Sequence, residues 1–376
     1  MTPTEARKIY PYLKTGKVYF NHAAISPIST YVKEKIDKYI YVRSETEIES
    51  FFEFLPTIDS ARSRLASLLN TNSDRIAFQD NVSNGLNLLA QSLEWEKGDR
   101  IILNNIEFPS NIYPFLNLER KGVEIDFVQA KNGVIEIDDI KKLITPRTKL
   151  LSISQVQFLT GYRANLTAIG ELCNKHDIIF SVDTIQGAGV RKIDVQESKI
   201  DYVAGGSHKW LMGLQGTGYI YVSEELQSRM NPAYVGWLSV DDDWNLLDYK
   251  LEFKDTALRF ENGTKSLIGV TAVEASLDLM GQVGFDVIER QIVSNSEYLI
   301  NRLDELGLNP IMKNVSSENL SGIVSFKPNE ADILFNKLGE KNIVCALREG
   351  MIRFSPHYYN TKEEIELVIS ELKDMI

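Results

Sequence analysis

Lys209 stands directly behind a run of small and apolar residues in DYVAGGSHKWLMGLQGTGYIYV, residues 201–222. In an α/β sheet the carboxyl end of a strand is where ligands sit, so this amine is either a solvated loop cation or a group enclosed at a site. Enclosure shifts a lysine toward its neutral amine, and a neutral amine forms Schiff bases with carbonyl compounds. Three other stretches put chemically useful side chains at comparable places. Ser83 stands where a strand over 75–78 gives way to a helix, and free amide groups at a helix start suit a phosphate. Capping of that helix by Asn81 or Ser83 accounts for the same residues. Phe108, held by Pro109 at the end of a strand over 100–105, can stack on a flat ring or pack in a core. Asp183 closes a strand over 178–183, where a carboxylate can hold a proton on a ring nitrogen or serve as an ion-pair partner.

These positions gain meaning from the elements that carry them. The runs KLLSISQV, IIFSVD and DYVAG are almost wholly apolar and alternate with helical patterns such as 166–176. Buried runs of this kind belong to a parallel sheet covered by helices on both faces. Ser83, Phe108, Asp183 and Lys209 then share one rim. A phosphate seat, a stacking ring, a carboxylate and an amine together meet the needs of pyridoxal 5'-phosphate. The lysine binds its carbonyl, and the aspartate keeps the pyridine nitrogen protonated so that the ring accepts electrons from a substrate Cα.

Amphipathic patterns over 27–70 read as scaffold helices, as do 267–280 and 285–306. The tail reads as strand 322–326, helix 331–338, strands 343–347 and 351–354, and a last helix opened by the capping box Thr361 to Glu364. In KVYFNHAAISPIS, Asn21 and His22 can face a pocket, although a lone histidine is as readily satisfied in a core.

With 376 residues the chain exceeds what one core usually holds, about 250–300 residues, so two lobes are expected. A net charge of −11 without a basic patch argues against nucleic-acid and anionic-membrane binding. Cys173 and Cys345 form no CxxC pair, so neither a disulfide framework nor a metal site is indicated, and a reducing cytoplasm fits. No leader-like or membrane-spanning apolar stretch is seen. The glycines of GLQGTGYI follow Lys209 and break the GxGxxG order, which counts against a dinucleotide-binding oxidoreductase.

The strings FNHAAISP, NVSNGLNLL, EFPSN, VDTIQGAG, GGSHKWL, FENGT and IRFSPHYYNT together resemble the class V aminotransferase family of fold type I pyridoxal-phosphate enzymes. That family includes cysteine desulfurases, selenocysteine lyase, kynureninase and isopenicillin N epimerase-like proteins. The resemblance implies an α/β fold: a large cofactor-binding domain over 17–264, its mostly parallel sheet covered by helices, and a smaller α+β domain from 1–16 and 265–376. It implies that Lys209 forms the internal aldimine, that His208 neighbours the phosphate, and that Asp183 pairs with the pyridine nitrogen. Gln186 would bond the phenolic oxygen, the Val82 backbone and Ser83 hydroxyl would hold the phosphate, and Phe108 would stack on the ring. Thr264 matches a threonine that reaches the phosphate of a partner subunit's cofactor, which implies a homodimer. Arg353 matches the arginine that grips the substrate α-carboxylate, with Arg348 a nearby competitor. Asn21 and His22 are further substrate-binding candidates, with Tyr162, Trp210 and His357 in the same shell.

Two departures bear on the reaction. Desulfurases carry a persulfide-forming cysteine on a loop well before the carboxylate-binding arginine, whereas here Cys345 lies in an apolar strand pattern, eight positions before Arg353. It reads as a core thiol. In SQVQFLTG, Gln157 or Phe158 stands near the place of a desulfurase asparagine. The expectation is therefore an enzyme acting on a small amino acid, first an aminotransferase, with a Cα/Cβ lyase or an epimerase as alternatives and a non-catalytic relative last.

Overall fold

The computed structural model describes residues 1–49 and 51–375, with Phe51 by its backbone alone. Among them the strands are β1 (Val18–Tyr19), β2 (Ile76–Gln79), β3 (Arg100–Asn104), β4 (Glu124–Val128), β5 (Thr148–Ser154), β6 (Ile179–Asp183), β7 (Tyr202–Gly206) and β8 (Gly218–Val222). They continue as β9 (Val324–Phe326), β10 (Ile343–Val344), β11 (Ala346–Arg348) and β12 (Met351–Phe354). The central sheet has the order β2-β8-β7-β6-β5-β3-β4. Its pairs from β4 to β7 are parallel, and β8 alone runs against its neighbours β7 and β2. The carboxyl ends of β2, β3, β5, β6 and β7 therefore share one rim.

Strands β6, β7 and β8 are buried at every residue, as their unbroken apolar runs require when helices cover both faces. Small residues set how closely those helices approach. Gly85, in the helix Val82–Ser92, sits where a Cβ would come within 2.9 Å of Ile220, so the helix start is drawn tightly onto β7 and β8. The helix Leu267–Val283 lies against the helices Thr30–Tyr41 and Phe51–Leu69, through Ala272 and Ala275 on Val32 and through Arg64 on Glu274 and Asp278.

A second sheet, β11-β12-β9, is antiparallel, and β10 pairs in parallel with β1. The single strand expected over 343–347 is thus two strands that part at Cys345, where the backbone leaves β1 for β12. Glu349 and Gly350 join β11 to β12 in a two-residue turn with φ of 48° and 72°. Two consecutive left-handed residues give the tightest hairpin connection available. The capping box at the last helix is present: Glu364 N–H donates to Thr361 Oγ1 at 3.3 Å, and Thr361 N–H donates to the Glu364 carboxylate at 3.0 Å.

Candidate active site

A cavity of about 350 Å³ opens on the rim where β2, β3, β6 and β7 end. Ser83, Phe108, Asp183, His208, Lys209 and Arg353 line it, from five separate segments of chain. Asn81 caps the helix Val82–Ser92 by accepting from Asn84 N–H at 2.9 Å, and Val82 and Ser83 at the helix start line the cavity. Ser83 Oγ donates to Ser110 Oγ at 3.0 Å. Capping by Asn81 thus leaves the helix start at the cavity wall, where free amides suit an anion.

Asp183 is the last residue of β6 and is fully enclosed. Its Oδ1 accepts from Ile185 N–H at 2.8 Å, while Oδ2 has no partner among the described residues. Burial raises its carboxyl above the usual range, opposed by the Ile185 bond and reinforced by Glu107, with Lys209 pulling it back. Lys209 makes no ion pair among the described residues, and its Nζ lies 5.7 Å from the centre of the Phe108 ring. Burial lowers its amine, Asp183 opposes that, and Arg353 and Arg348 add to it. The effect is an amine closer to neutrality than a surface lysine. His208 is pushed down to about 4 by burial and by Lys209, so its ring is neutral at neutral pH and carries one N–H donor.

Arg353 leaves β12 with Nη1 donating to Phe158 O at 2.7 Å, while its buried Nε has no partner among the described residues. Burial, then Arg348, brings it down to about 10. Arg348 also lines the cavity, and its recorded bond is to its neighbour Leu347 O at 2.8 Å. Neither arginine has a carboxylate partner among the described residues, so two guanidinium groups stand ready for anions.

His22 is fully buried, with Nδ1 on Ser355 O at 2.8 Å and Nε2 on Tyr359 OH at 2.6 Å, and it lies outside the cavity wall. Both ring nitrogens are occupied by these contacts. Asn21 joins Ser355 in an isolated bridge and likewise lies outside the cavity wall, where Ala23 and Ala24 take its place. Tyr162 and His357 are also built into the core. Thr264 is exposed and lines a separate cavity of about 260 Å³ with Thr217 and Glu261, so it does not meet Lys209 of its own chain. Of the pair Gln157 and Phe158, the phenylalanine faces the cavity, packed edge-on to Phe108, and Gln157 donates to Glu107 at 2.8 Å.

Glu107 escaped the sequence reading. It is buried, accepts from Asn104 Nδ2 and Ser154 N–H at 2.7 Å each, and also takes the Ser154 hydroxyl. It thereby ties the end of β3 to the end of β5 beneath Phe108. An acidic residue immediately after an apolar strand was the available signal.

The donor set fits pyridoxal phosphate. An orphaned buried carboxylate oxygen, an unpaired enclosed lysine, a helix start and an aromatic ring surround one cavity, each with a counterpart on that cofactor. The fold and site define a PLP-dependent enzyme. Comparison with known proteins agrees: the family model for aminotransferase class-V matches residues 18–368, and the chain belongs to that family. A probable cysteine desulfurase of Methanothermobacter thermautotrophicus is 27% identical over 402 residues, covering 100% of this chain and 98% of the relative. The uncharacterized aminotransferase YcbU of Bacillus subtilis is 26% identical, covering 98% of this chain and 97% of its own. Among solved structures, a C-DES mutant with glycine covalently linked to the PLP cofactor has a TM-score of 0.89 at 26% identity, covering 98% and 99% of the two chains. The cystine C-S lyase C-DES in complex with its product cysteine persulfide has a TM-score of 0.87 at 25% identity, covering 97% and 99%.

Proposed function

We propose that this chain is a PLP-dependent lyase that breaks the Cβ–S bond of a small sulfur-containing amino acid by elimination, without an enzyme thiol. The names of its relatives support C–S cleavage over the transamination expected first. The observation that carries the route is the hairpin before Arg353. Its two-residue turn leaves no loop on which a cysteine could reach the cavity. The chain has two cysteines, Cys345 and Cys173, both buried, and burial pushes each thiol up to about 12. Attack on sulfur needs an accessible thiolate.

Bound pyridoxal phosphate would supply the sink for the electron pair left at Cα. Arg353 holds the α-carboxylate, and Lys209 Nζ removes the Cα proton. The Cβ–S bond then breaks with its electron pair on sulfur, and a proton from Lys209 can neutralise the departing group. The three-carbon fragment leaves as an enamine that water hydrolyses to pyruvate and ammonia, so the expected products of the holoprotein are pyruvate and ammonia with sulfide from cysteine or with cysteine persulfide from cystine. Cys345→Ser is expected to keep at least about half of this activity, since surface-inaccessible thiols act chiefly through packing. Amino-group transfer to a keto acid without sulfur release would refute the lyase reading. Lost sulfur release in a normally folded Cys345→Ser would restore the enzyme-thiol route.

Arg348 refines the substrate. A second unneutralised cation in the cavity suits a second anionic group, as in a disulfide-linked amino acid with two carboxylates. Arg348→Ala is expected to raise KM for cystine about tenfold, the scale of one charge-assisted hydrogen bond, and to change KM for cysteine far less. Equal effects on both substrates would remove Arg348 from the distal subsite.

We also propose that two chains complete each site, with Thr264 serving the cofactor phosphate of the other copy. Its exposure and its place in a cavity separate from that of Lys209 support this. Sedimentation of a cofactor-saturated, active monomer would disprove it.

A further inference from the structure

We propose that Trp210 is a positioning residue that orients the Gln186 amide toward the cofactor ring and thereby sets how firmly the bound cofactor holds its proton. The inference rests on the cofactor and on Gln186 facing its ring oxygen, not on C–S cleavage. Trp210 is fully buried, and its Nε1–H donates to Gln186 Oε1 at 2.8 Å. An indole N–H is a donor only. The amide oxygen must therefore face the indole, which turns the NH2 group to the opposite side. One of its two N–H groups donates to Ala23 O at 3.0 Å. The second N–H remains, and both Gln186 and Ala23 line the cavity. Without the indole, the amide could rotate and present its oxygen to the cavity, which would repel a negatively charged ring oxygen.

The indole is itself wedged. A Cβ on Gly322 would come within 2.2 Å of its ring, so only glycine allows that approach. His357 Nε2 lies 3.1 Å from Trp210 O, and the two rings are 5.3 Å apart. Trp210 thus connects the segment before β9 and the segment after β12 to an amide on the cavity wall. The charged and titratable groups facing the cofactor from the surrounding elements are Asp183, Lys209, His208, Arg348 and Arg353, with Glu107 behind Asp183. His22 and His357 flank the indole, and burial keeps both rings neutral.

The test is a spectrophotometric pH titration of the resting holoprotein, without substrate. A hydrogen bond to the ring oxygen stabilises its negative charge and makes the cofactor easier to deprotonate, so weakening it moves the titration of the visible band upward. Trp210→Phe is expected to raise the apparent pKa by about half to one unit, the scale of one hydrogen bond. Gln186→Met is expected to produce a similar rise, and the double variant no more than the larger single shift. Should Trp210→Phe fail to bind cofactor, β-(3-benzothienyl)alanine placed at position 210 removes the N–H while keeping the ring shape. An unshifted titration in the position-210 variant that loads cofactor, or fully additive shifts in the double variant, overturns the proposal.

Discussion

Lys209→Ala is expected to lower turnover by about four orders of magnitude or more while leaving the folded protein at least as stable as the parent. Proton transfer by a positioned side chain alone contributes about 10²–10⁴-fold, and the proposed role of this lysine as the cofactor's covalent anchor adds to that loss. Among the described residues lining the cavity, neither His208 nor Asp183 is suited to substitute. His208 lies next in sequence, but its fall to about 4 reflects burial and the neighbouring cation, and so weak a base is poorly matched to the task. Asp183 is enclosed at the end of β6 with one oxygen already bonded to Ile185 N–H. Stability runs the other way because the parent lysine has no ion pair among the described residues, and an enclosed unpaired cation costs free energy. The measurement is twofold: product formation with cysteine, and the urea midpoint of cofactor-free protein. Partial recovery of turnover with added small amines would identify Nζ as the missing proton carrier. A variant that retains more than about one per cent of parent turnover would contradict the assignment, because the loss would then fall at or below what a single general base supplies.

The rim was legible in the sequence for a physical reason. A parallel strand buried on both faces declares itself by an unbroken apolar run, and topology then delivers its carboxyl end to the common edge. Asp183, Lys209, Ser83 and Phe108 come together by that rule alone. Arg353 does not, since it enters from a different sheet, and only the family resemblance placed it. His22 shows the limit of local reading. Its two ring nitrogens are taken by Ser355 and Tyr359, more than 330 residues away, so nothing near FNHAA distinguishes a ligand from a core histidine. Cys345 was read as a core thiol from its apolar neighbours, and the structure buries it. The change of strand partner at that residue was invisible, because both halves of IVCAL carry the same alternation. The Trp210–Gln186 contact was equally hidden, since a tryptophan after the lysine reads as ordinary core until its N–H is seen to face an amide.

Glu261→Ala is expected to be the most destabilising single change outside the cofactor cavity, by about 3–5 kcal/mol, the usual cost of leaving a buried ion-pair partner uncompensated. Glu261 accepts from Arg62 Nη1 at 2.6 Å, from Arg62 Nη2 at 3.2 Å and from Phe78 N–H at 2.7 Å. It also pairs with Lys265 at 2.8 Å. The Arg62 and Glu261 side chains are only 7% and 3% exposed, so water cannot replace what the substitution removes. Arg62 donates in turn to Ile76 O at 2.7 Å. The pair therefore fastens the helix Phe51–Leu69, the edge strand β2 and the segment that leads to Thr264. Arg62→Met should cost less, because Glu261 would keep Phe78 N–H and Lys265 as partners. The pH dependence follows from the same geometry. Burial alone would raise the Glu261 carboxyl, but the charges of Arg62 and Lys265 outweigh it and leave the carboxyl below its usual value. A carboxyl lowered on folding stabilises above its unfolded value, near 4.3, and that contribution disappears as pH falls through the folded value. Glu261→Gln should thus flatten the loss of stability below about pH 4 while being less stable than the parent at neutral pH. Urea titrations at several pH values read both effects. Parent-like acid sensitivity in Glu261→Gln would move the acid-labile contact elsewhere, and a neutral-pH cost under about 1 kcal/mol for Glu261→Ala would mean that the pair is far better solvated than its burial indicates.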